Sequence, residues 1–219
     1  MINSSERKII LASGSPRRKQ LLEQIGLQFK VRPSEYEEDM SLMTDPFALV
    51  KFLALKKAED VARHFDDAII IAADTFVIYD GKFLGKPKDK EEAKKMLETL
   101  SGKFNTIVTG FAVIDCKTGQ VINEFDQAKV KMIELTGEEI DQYIATGQPL
   151  DKAGAYGVQG MGALIIERVE GSLERIWGES FLVKHRKIDV FNLAFSAVIS
   201  NAAKRRERSR REAKKRIIR

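Results

Sequence analysis

Cysteine is scarce in this sequence, and long apolar runs are missing. One cysteine, Cys116, occurs in 219 residues, which excludes an internal disulfide and suits a reducing compartment. Because free cysteine is commonly buried, we expect Cys116 in the core or on an edge strand rather than in a nucleophilic role. Residues 1–7 lack the apolar segment of a signal peptide, and no apolar run approaches the length of a membrane span. We therefore expect a cytoplasmic protein that does not cross a membrane.

Internal repeats and two common nucleotide-binding signatures are also missing. A glycine-rich segment is present at residues 152–160 (KAGAYGVQG). Its glycine spacing matches neither the dinucleotide-binding fingerprint nor the Walker A loop. Neither of those two kinds of phosphate site is therefore supported.

Excess positive charge is confined to the C-terminal tail. The net charge is +5 and the sequence pI is about 9.2. Residues 204–219 hold ten Lys/Arg and two Glu, so the tail carries +8 and the remainder −3. The pI is thus no indication that the folded body binds nucleic acid. A basic tail can bind polyanions non-specifically, but we favour a solvated, partly helical tail and expect no nucleic-acid partner.

Strand and helix patterns alternate along most of the chain. The fully apolar strand at residues 68–73 is typical of a central position in a sheet. Parallel and antiparallel signals are mixed, which predicts an α/β fold with a mixed sheet. The length fits one domain, or one domain with two lobes. The predicted strands are residues 9–12, 28–31, 68–73, 76–79, 83–84, 104–115, 121–135 and 163–169, and the predicted helices begin near residues 16, 46, 89 and 136.

The segment at residues 13–18 (SGSPRR) joins the first strand to the first helix. Pro16 suits the first helical position, and Ser15 then lies at the N-cap. Free backbone N–H groups, the helix dipole and the guanidinium groups of Arg17 and Arg18 would meet here. Together they predict a site for an anion with several oxygens, most simply a phosphate chain. An ordinary capped helix with two solvated arginines is the alternative.

Two carboxylates are candidates for the chemistry. Asp74 follows the apolar strand, and ligands in open α/β sheets bind beyond the carboxyl ends of strands. It could hold a metal or accept a proton from water; otherwise it is a turn residue. Glu38 belongs to an acidic loop that is otherwise simply solvated. If the two lie close together, they form a site for Mg²⁺ or Mn²⁺.

Two lysines and a glutamine complete the candidate set. Lys57 lies on a predicted helix, and Lys86 lies in a restricted loop between glycine and proline. Both could hold phosphate, although most lysines are merely solvated. Gln159 lies among glycines that allow a ligand close to the backbone. Its amide offers one donor and one acceptor, which suits the edge of a nucleobase.

Four motifs together resemble the Maf family of nucleotide pyrophosphatases. They occur in the family's order, and the resemblance covers about residues 8–171. Any one motif is a weak signal, whereas four in order are highly specific. The motifs are SGSPRR at residues 13–18, ADT at 73–75, GKP at 85–87 and DKAGAYGVQG at 151–160.

The resemblance implies a fold and a reaction. The fold is an elongated α/β structure with mixed sheet, flanking helices and a deep central cleft, often as a homodimer. The reaction is hydrolysis of nucleoside triphosphates to monophosphate and pyrophosphate. A divalent metal, Mg²⁺ or Mn²⁺, is implied on Glu38 and Asp74.

The resemblance also implies residue roles. Asp74 matches the general base, and Glu38 matches the acidic residue of the family's Asp-x-Asp-Glu loop. The two phosphate-binding lysines match Lys57 and Lys86. The phosphate loop matches Ser13, Arg17 and Arg18, and the positions linked to base selection match Arg17, Thr75 and Gln159.

The subgroup and the C-terminus are both informative. ADT at residues 73–75 with KAGAYG at 152–157 is similar to members that prefer dTTP and UTP, with modified pyrimidine nucleotides a further substrate class. A septation-regulating binding protein with little catalysis is the alternative.

After Gly171 the sequence departs from the family and lacks its Leu-Pro. We therefore expect a two-lobed pyrophosphatase domain over residues 1–185, then a divergent helix and basic tail over 186–219.

Overall fold

Strands and helices alternate along the chain. A computed structural model describes residues 7–24, 26–40, 42–158 and 160–170. The strands are β1 (Lys8–Leu11), β2 (Lys30–Val31), β3 (Ala68–Tyr79), β4 (Lys82–Leu84), β5 (Phe104–Asp115), β6 (Val121–Met132) and β7 (Ile166–Glu170). The α-helices are α1 (Pro16–Gln24), α2 (Pro46–Ala62), α3 (Lys90–Leu100) and α4 (Gly137–Ala145). Between α4 and β7 lie three 3₁₀ segments, Gln148–Asp151, Ala153–Ala155 and Gly160–Ile165.

All the strands named above form one mixed sheet. Its order is β2-β1-β3-β5-β6-β7, and β4 pairs with the end of β3. β3 runs parallel to β1 and antiparallel to β4 and β5. The predicted α/β class with a mixed sheet and flanking helices is confirmed. The predicted strands at residues 104–115 and 121–135 appear as β5 and β6, which pair as a long antiparallel ribbon.

The helices begin where local signals predict. The side chain of Asp45 accepts a hydrogen bond from the N–H of Phe47 (3.0 Å), and Pro46 is the first residue of α2. Thr136 and Glu139 form a capping box at the start of α4, with the N–H of Thr136 2.8 Å from the Glu139 carboxylate. These caps satisfy backbone donors that the first turn of a helix leaves free.

One strand prediction is wrong, and it concerns Asp74. The sequence predicts that the strand ends at residue 73, but Asp74 lies in the middle of β3. The reason is β5, which pairs with β3 from Ile69 to Ile78 and places Gly110 opposite Asp74. The hydrogen bonds to β5 continue along β3 before and after Asp74. A polar residue at this position therefore does not end the strand.

Two other boundaries differ from the sequence predictions. The register between β6 and β7 is irregular at Lys131 and Met132, and β6 ends there rather than at residue 135. Residues 163–165 belong to a 3₁₀ segment, so the last strand begins at Ile166. Both shifts concern the ends of elements, where local sequence signals are weakest.

A close helix–sheet contact holds α2 against the centre of the sheet. Ala54 and Ala58 of α2 are buried in one cluster with Ile70 of β3 and Ala112 of β5. At Gly110, a Cβ would lie 2.6 Å from the carbonyl carbon of Val50, in the backbone of α2. Small residues on both sides therefore allow the close approach. This contact fixes the helix that carries Lys57 against the strand that carries Asp74.

We expect Gly110→Ala to lower the free energy of unfolding by about 2 kcal/mol or more, because overpacking against backbone cannot relax as a side chain does. Urea denaturation followed by circular dichroism measures this. Gly137→Ala is the matched control, since a Cβ there meets no atom within 4 Å and the change should stay within about 0.5 kcal/mol. Equal stability of the two variants would contradict the tight contact.

Three further predictions concern single features of the chain. None of the helices in the described ranges is long and apolar enough to cross a membrane. Cys116 lies just after β5, a strand inside the sheet, and is partly buried against the cluster around Ala58 and Ile70, so it is neither fully in the core nor on an edge strand; burial raises the pKa of its thiol. The predicted domain boundary at residue 185 lies outside the described residues.

Candidate active site

A cleft of about 630 Å³ opens beside the centre of β3. Its walls come from the loop after β1, the loop before α2, the helix α2 and the segment following α4. Eight of the nine candidate residues line it, namely Ser13, Arg17, Arg18, Glu38, Lys57, Asp74, Thr75 and Lys86. The ninth, Gln159, lies outside the described residues.

The position of the cleft follows from strand pairing along one edge of β3. β1 pairs with β3 only as far as Ile71, and β4 begins to pair at Val77. Asp74 lies in the interval between these two partners. The loop that leaves the carboxyl end of β1 passes this interval, so the rule on carboxyl ends holds for β1 rather than for β3.

The carboxyl group of Asp74 is buried at the base of the cleft. The residue is 7% exposed, and its Oδ1 accepts a hydrogen bond from the N–H of Thr75 (2.9 Å). Within the described part of the chain, no donor forms a hydrogen bond with its Oδ2. Burial raises the pKa of Asp74, against the opposing effects of Lys57 and Arg18. A buried oxygen with a free lone pair and a raised pKa can accept a proton from water.

Lys57 lies between the two candidate carboxylates. Its Nζ is 2.6 Å from Oε1 of Glu38 and 3.2 Å from Oδ2 of Asp74. The contact with Oδ2 is close enough for an ion pair but does not have hydrogen-bond geometry. Glu38, Lys57 and Asp74 therefore lie together in the structure, and both carboxylates contact the same ammonium group.

The loop that carries Glu38 is attached to α2 by Asp60. Oδ2 of Asp60 accepts hydrogen bonds from the hydroxyl of Ser34 and from the N–H of Glu35, both at 2.8 Å. The bond from Glu35 is the main reason that the pKa of Asp60 is lowered. Sequence reasoning missed Asp60, although its place three residues after Lys57 puts both on neighbouring faces of the helix.

Arg18 connects the loop after β1 to the centre of β3. Its Nη1 donates to the hydroxyl of Ser13 (3.0 Å) and to the carbonyl of Ala73 (2.8 Å), and its Nη2 donates to the hydroxyl of Thr75 (3.0 Å). Thr75 in turn contacts the hydroxyl of Thr109 at 3.1 Å. Much of the hydrogen-bonding capacity of Arg18 is thus used within the protein.

Arg17 and Lys86 are freer than Arg18. Within the described residues, Arg17 makes a long hydrogen bond from Nη2 to the carbonyl of Asp151 (3.4 Å). Lys86 is exposed at the cleft wall. Both side chains can therefore turn toward a ligand. Pro16 begins α1 as predicted, so the N-terminus of that helix faces the same cleft.

Lys152 organises the wall opposite α1, and sequence reasoning gave it no role. It is 8% exposed, and its Nζ donates to the carbonyl of Gln148 and to the carboxylate of Asp151 (2.5 Å each). Its stem lies under Gly157, where a Cβ would be 2.9 Å from Cδ of Lys152 and 3.3 Å from Nη1 of Arg17. Glycine at residue 157 therefore leaves room for the stem of Lys152, a signal visible in the sequence only as a glycine-rich loop.

Glu38 and Asp74 are the residues that could hold a divalent metal. Their oxygens are the hard ligands that Mg²⁺ and Mn²⁺ prefer, and Oδ2 of Asp74 keeps a free lone pair. The described residues contain no group of three or more Asp, Glu, His or Cys side chains placed to hold a metal. Two carboxylates completed by phosphate oxygens and water are a common arrangement for Mg²⁺, so the donor set fits.

Comparison with known proteins gives a consistent set of relatives. A family model described as "Maf-like protein" matches residues 8–182. A dTTP/UTP pyrophosphatase of Bacillus anthracis is 44% identical over 187 residues, 85% of this chain and 97% of the relative. A dTTP/UTP pyrophosphatase of Dictyoglomus turgidum is 47% identical over 173 residues, 78% of this chain and 90% of the relative. A dTTP/UTP pyrophosphatase of Bacillus cytotoxicus is 46% identical over 172 residues, 78% of this chain and 89% of the relative.

Proposed function

This chain belongs to the Maf-like protein family, and from that membership we propose that it hydrolyses dTTP and UTP to the monophosphate and pyrophosphate. Relatives that are 44–47% identical to this chain over most of their length are named dTTP/UTP pyrophosphatase. The enzyme class is a hydrolase of the α–β phosphoanhydride bond. Modified pyrimidine nucleotides are a further proposed substrate class.

The observation that carries the proposal is the buried carboxylate of Asp74 in a cleft lined by basic groups. Arg17, Arg18, Lys57 and Lys86 line that cleft together with the N-terminus of α1. A triphosphate carries about four negative charges near neutral pH, and cations and helix N–H groups are its usual partners in proteins. A carboxylate at the base of such a cleft cannot bind phosphate unaided, which supports a role for Asp74 in the chemistry rather than in binding.

The proposed mechanism divides the cleft between positioning and proton transfer. Arg17, Lys57 and Lys86 hold the triphosphate, and Arg18 supports the loop beside it. Asp74 accepts a proton from the attacking water, and pyrophosphate leaves. A divalent cation held by Glu38 and Asp74 would neutralise charge at the α-phosphate. Fixed positive groups that match the charge developing in the transition state provide most of the rate enhancement in such reactions.

Finer parts of the proposal concern selectivity, assembly and location. We assign the choice of base to Arg17, Thr75 and Gln159, since thymine and uracil offer an N3–H beside a carbonyl to an amide such as Gln159. We also propose a homodimer in the cytoplasm with no nucleic-acid partner. Size-exclusion chromatography with light scattering measures the oligomeric state.

A nucleotide panel tests the reaction. Purified protein with Mg²⁺ or Mn²⁺ should release pyrophosphate from dTTP and UTP faster than from CTP, dATP or GTP. Ion chromatography separates pyrophosphate from orthophosphate, and inorganic pyrophosphatase must be shown to be absent. Release of orthophosphate as the first product would reject the proposal. Equal rates on all five nucleotides would reject the preference for thymine and uracil.

A further inference from the structure

The cation that lies between Glu38 and Asp74 is the ammonium group of Lys57. Its Nζ is 2.6 Å from Oε1 of Glu38 and 3.2 Å from Oδ2 of Asp74. We infer that Lys57 is an internal counter-ion, which occupies the position of a divalent cation between these carboxylates and competes with the metal for them. The inference rests on the proposed function, because it concerns the same two carboxylates.

Burial explains why a counter-ion is needed there. The side chain of Asp74 is 10% exposed and that of Lys57 is 13% exposed. A buried carboxylate without a cation would be costly, and Glu38 adds a second negative charge beside it. Lys57 therefore compensates this pair of charges in the metal-free protein.

The geometry of the contact between Lys57 and Asp74 suits displacement by another cation. The approach of Lys57 to Oδ2 of Asp74 lacks hydrogen-bond geometry, so Coulomb attraction holds it there rather than a directed bond. Lysine carries a compact charge on a flexible four-carbon stem, unlike the rigid fork of arginine. The Lys57 side chain also lines the cleft, so its ammonium can leave the carboxylates and stay within reach of a bound phosphate chain.

Competition follows from the shared space. Mg²⁺ takes its oxygen ligands at about 2.1 Å, so a metal on the same two oxygens would be in direct contact with the ammonium. Two cations at that separation repel strongly where little water screens them. Lys57 would then act in two successive states, first on the carboxylates and afterwards on the substrate. This ordering unites its observed contacts with its expected role as a phosphate ligand.

The first test compares the affinities of variants for Mn²⁺. Electron paramagnetic resonance of free Mn²⁺, with the full chain and no nucleotide, gives the dissociation constant. Lys57→Met keeps the stem and removes the charge, and we expect Mn²⁺ to bind at least tenfold more tightly than to wild type. Lys86→Met removes the same charge from the same cleft without touching either carboxylate, and should change the constant by less than about twofold. Equal or weaker binding by Lys57→Met would overturn the inference.

The second test uses wild-type protein, so it does not depend on the folding of a variant. Acetylation of lysines by acetic anhydride, read by mass spectrometry, should modify Lys57 several-fold faster once Mn²⁺ saturates the protein. Lys94, whose ion pair with Asp141 at 2.7 Å lies outside the cleft, is the internal control. Unchanged reactivity of Lys57, or no Mn²⁺ binding at all, would overturn the inference. A protein that passes both tests but releases no pyrophosphate contradicts only the proposed function.

Discussion

We expect Asp74→Asn to lower kcat for UTP about 10³-fold, in the middle of the range that a general base usually contributes. The substitution keeps the size of the side chain and removes the group that takes the proton from water. The amide oxygen can still accept the hydrogen bond from the N–H of Thr75, so the centre of β3 should keep its geometry. Release of pyrophosphate from UTP with saturating Mg²⁺ measures the effect. Binding of UTP should survive, as it would in a protein that only binds nucleotides.

The same substitution should not destabilise the fold, which separates a catalytic loss from unfolding. Because burial raises the pKa of Asp74, ionisation of this carboxyl costs stability in the folded state. Protonated Asp74 contributes stability that is fully present below the pKa of this carboxyl in the unfolded chain. That contribution is lost as the pH rises through its higher pKa in the folded protein. Relative to wild type, Asp74→Asn should therefore gain in unfolding free energy as the pH rises, when both are measured in EDTA.

Asp80→Asn is the matched control. Asp80 is exposed in the turn after β3 with a φ of 50°, a conformation that asparagine tolerates well. It removes one carboxylate from the same hairpin without touching the cleft. We expect wild-type activity from this variant. Activity of Asp74→Asn within tenfold of wild type would exclude Asp74 as the general base.

The sequence predicts a feature well where the signal lies within a few residues. The predicted helix near residue 136 begins at the capping box of Thr136 and Glu139, which is complete within four residues. The start of α2 at Pro46 rests on Asp45 and its own proline in the same way. Such local contacts form largely independently of the rest of the fold.

The centre of β3 could not be predicted because its cause is remote. Whether the strand continues past Asp74 depends on β5, whose Gly110 lies opposite it. The approach of Glu38 to Lys57 likewise depends on how Asp60 holds the loop at Ser34. Motifs in the sequence identify residues that line the cleft, whereas the distances between those residues are set by contacts between distant segments.

The adjacent arginines should respond differently to the same conservative change. We expect Arg18→Lys to lower kcat about 10²-fold and the free energy of unfolding by about 2 kcal/mol, because lysine cannot make divergent bonds from two nitrogens. In the native protein these bonds reach Ser13, Ala73 and Thr75. Ala73 directly precedes Asp74, so their loss would misplace the carboxylate that takes the proton.

Arg17→Lys is the comparison that makes the prediction sharp. The hydrogen bond from Arg17 to the carbonyl of Asp151 is long, at 3.4 Å, so replacement of Arg17 by lysine should leave the thermal midpoint within about 1 °C of wild type. KM for UTP should rise about tenfold with little change in kcat, since lysine keeps the charge but loses bidentate geometry toward phosphate. Steady-state kinetics of both variants give kcat and KM for UTP, and thermal melts of both variants give the change in stability. If Arg18→Lys instead melts like wild type and raises only KM, its bonds to β3 do not support the site, and both arginines act on substrate alone.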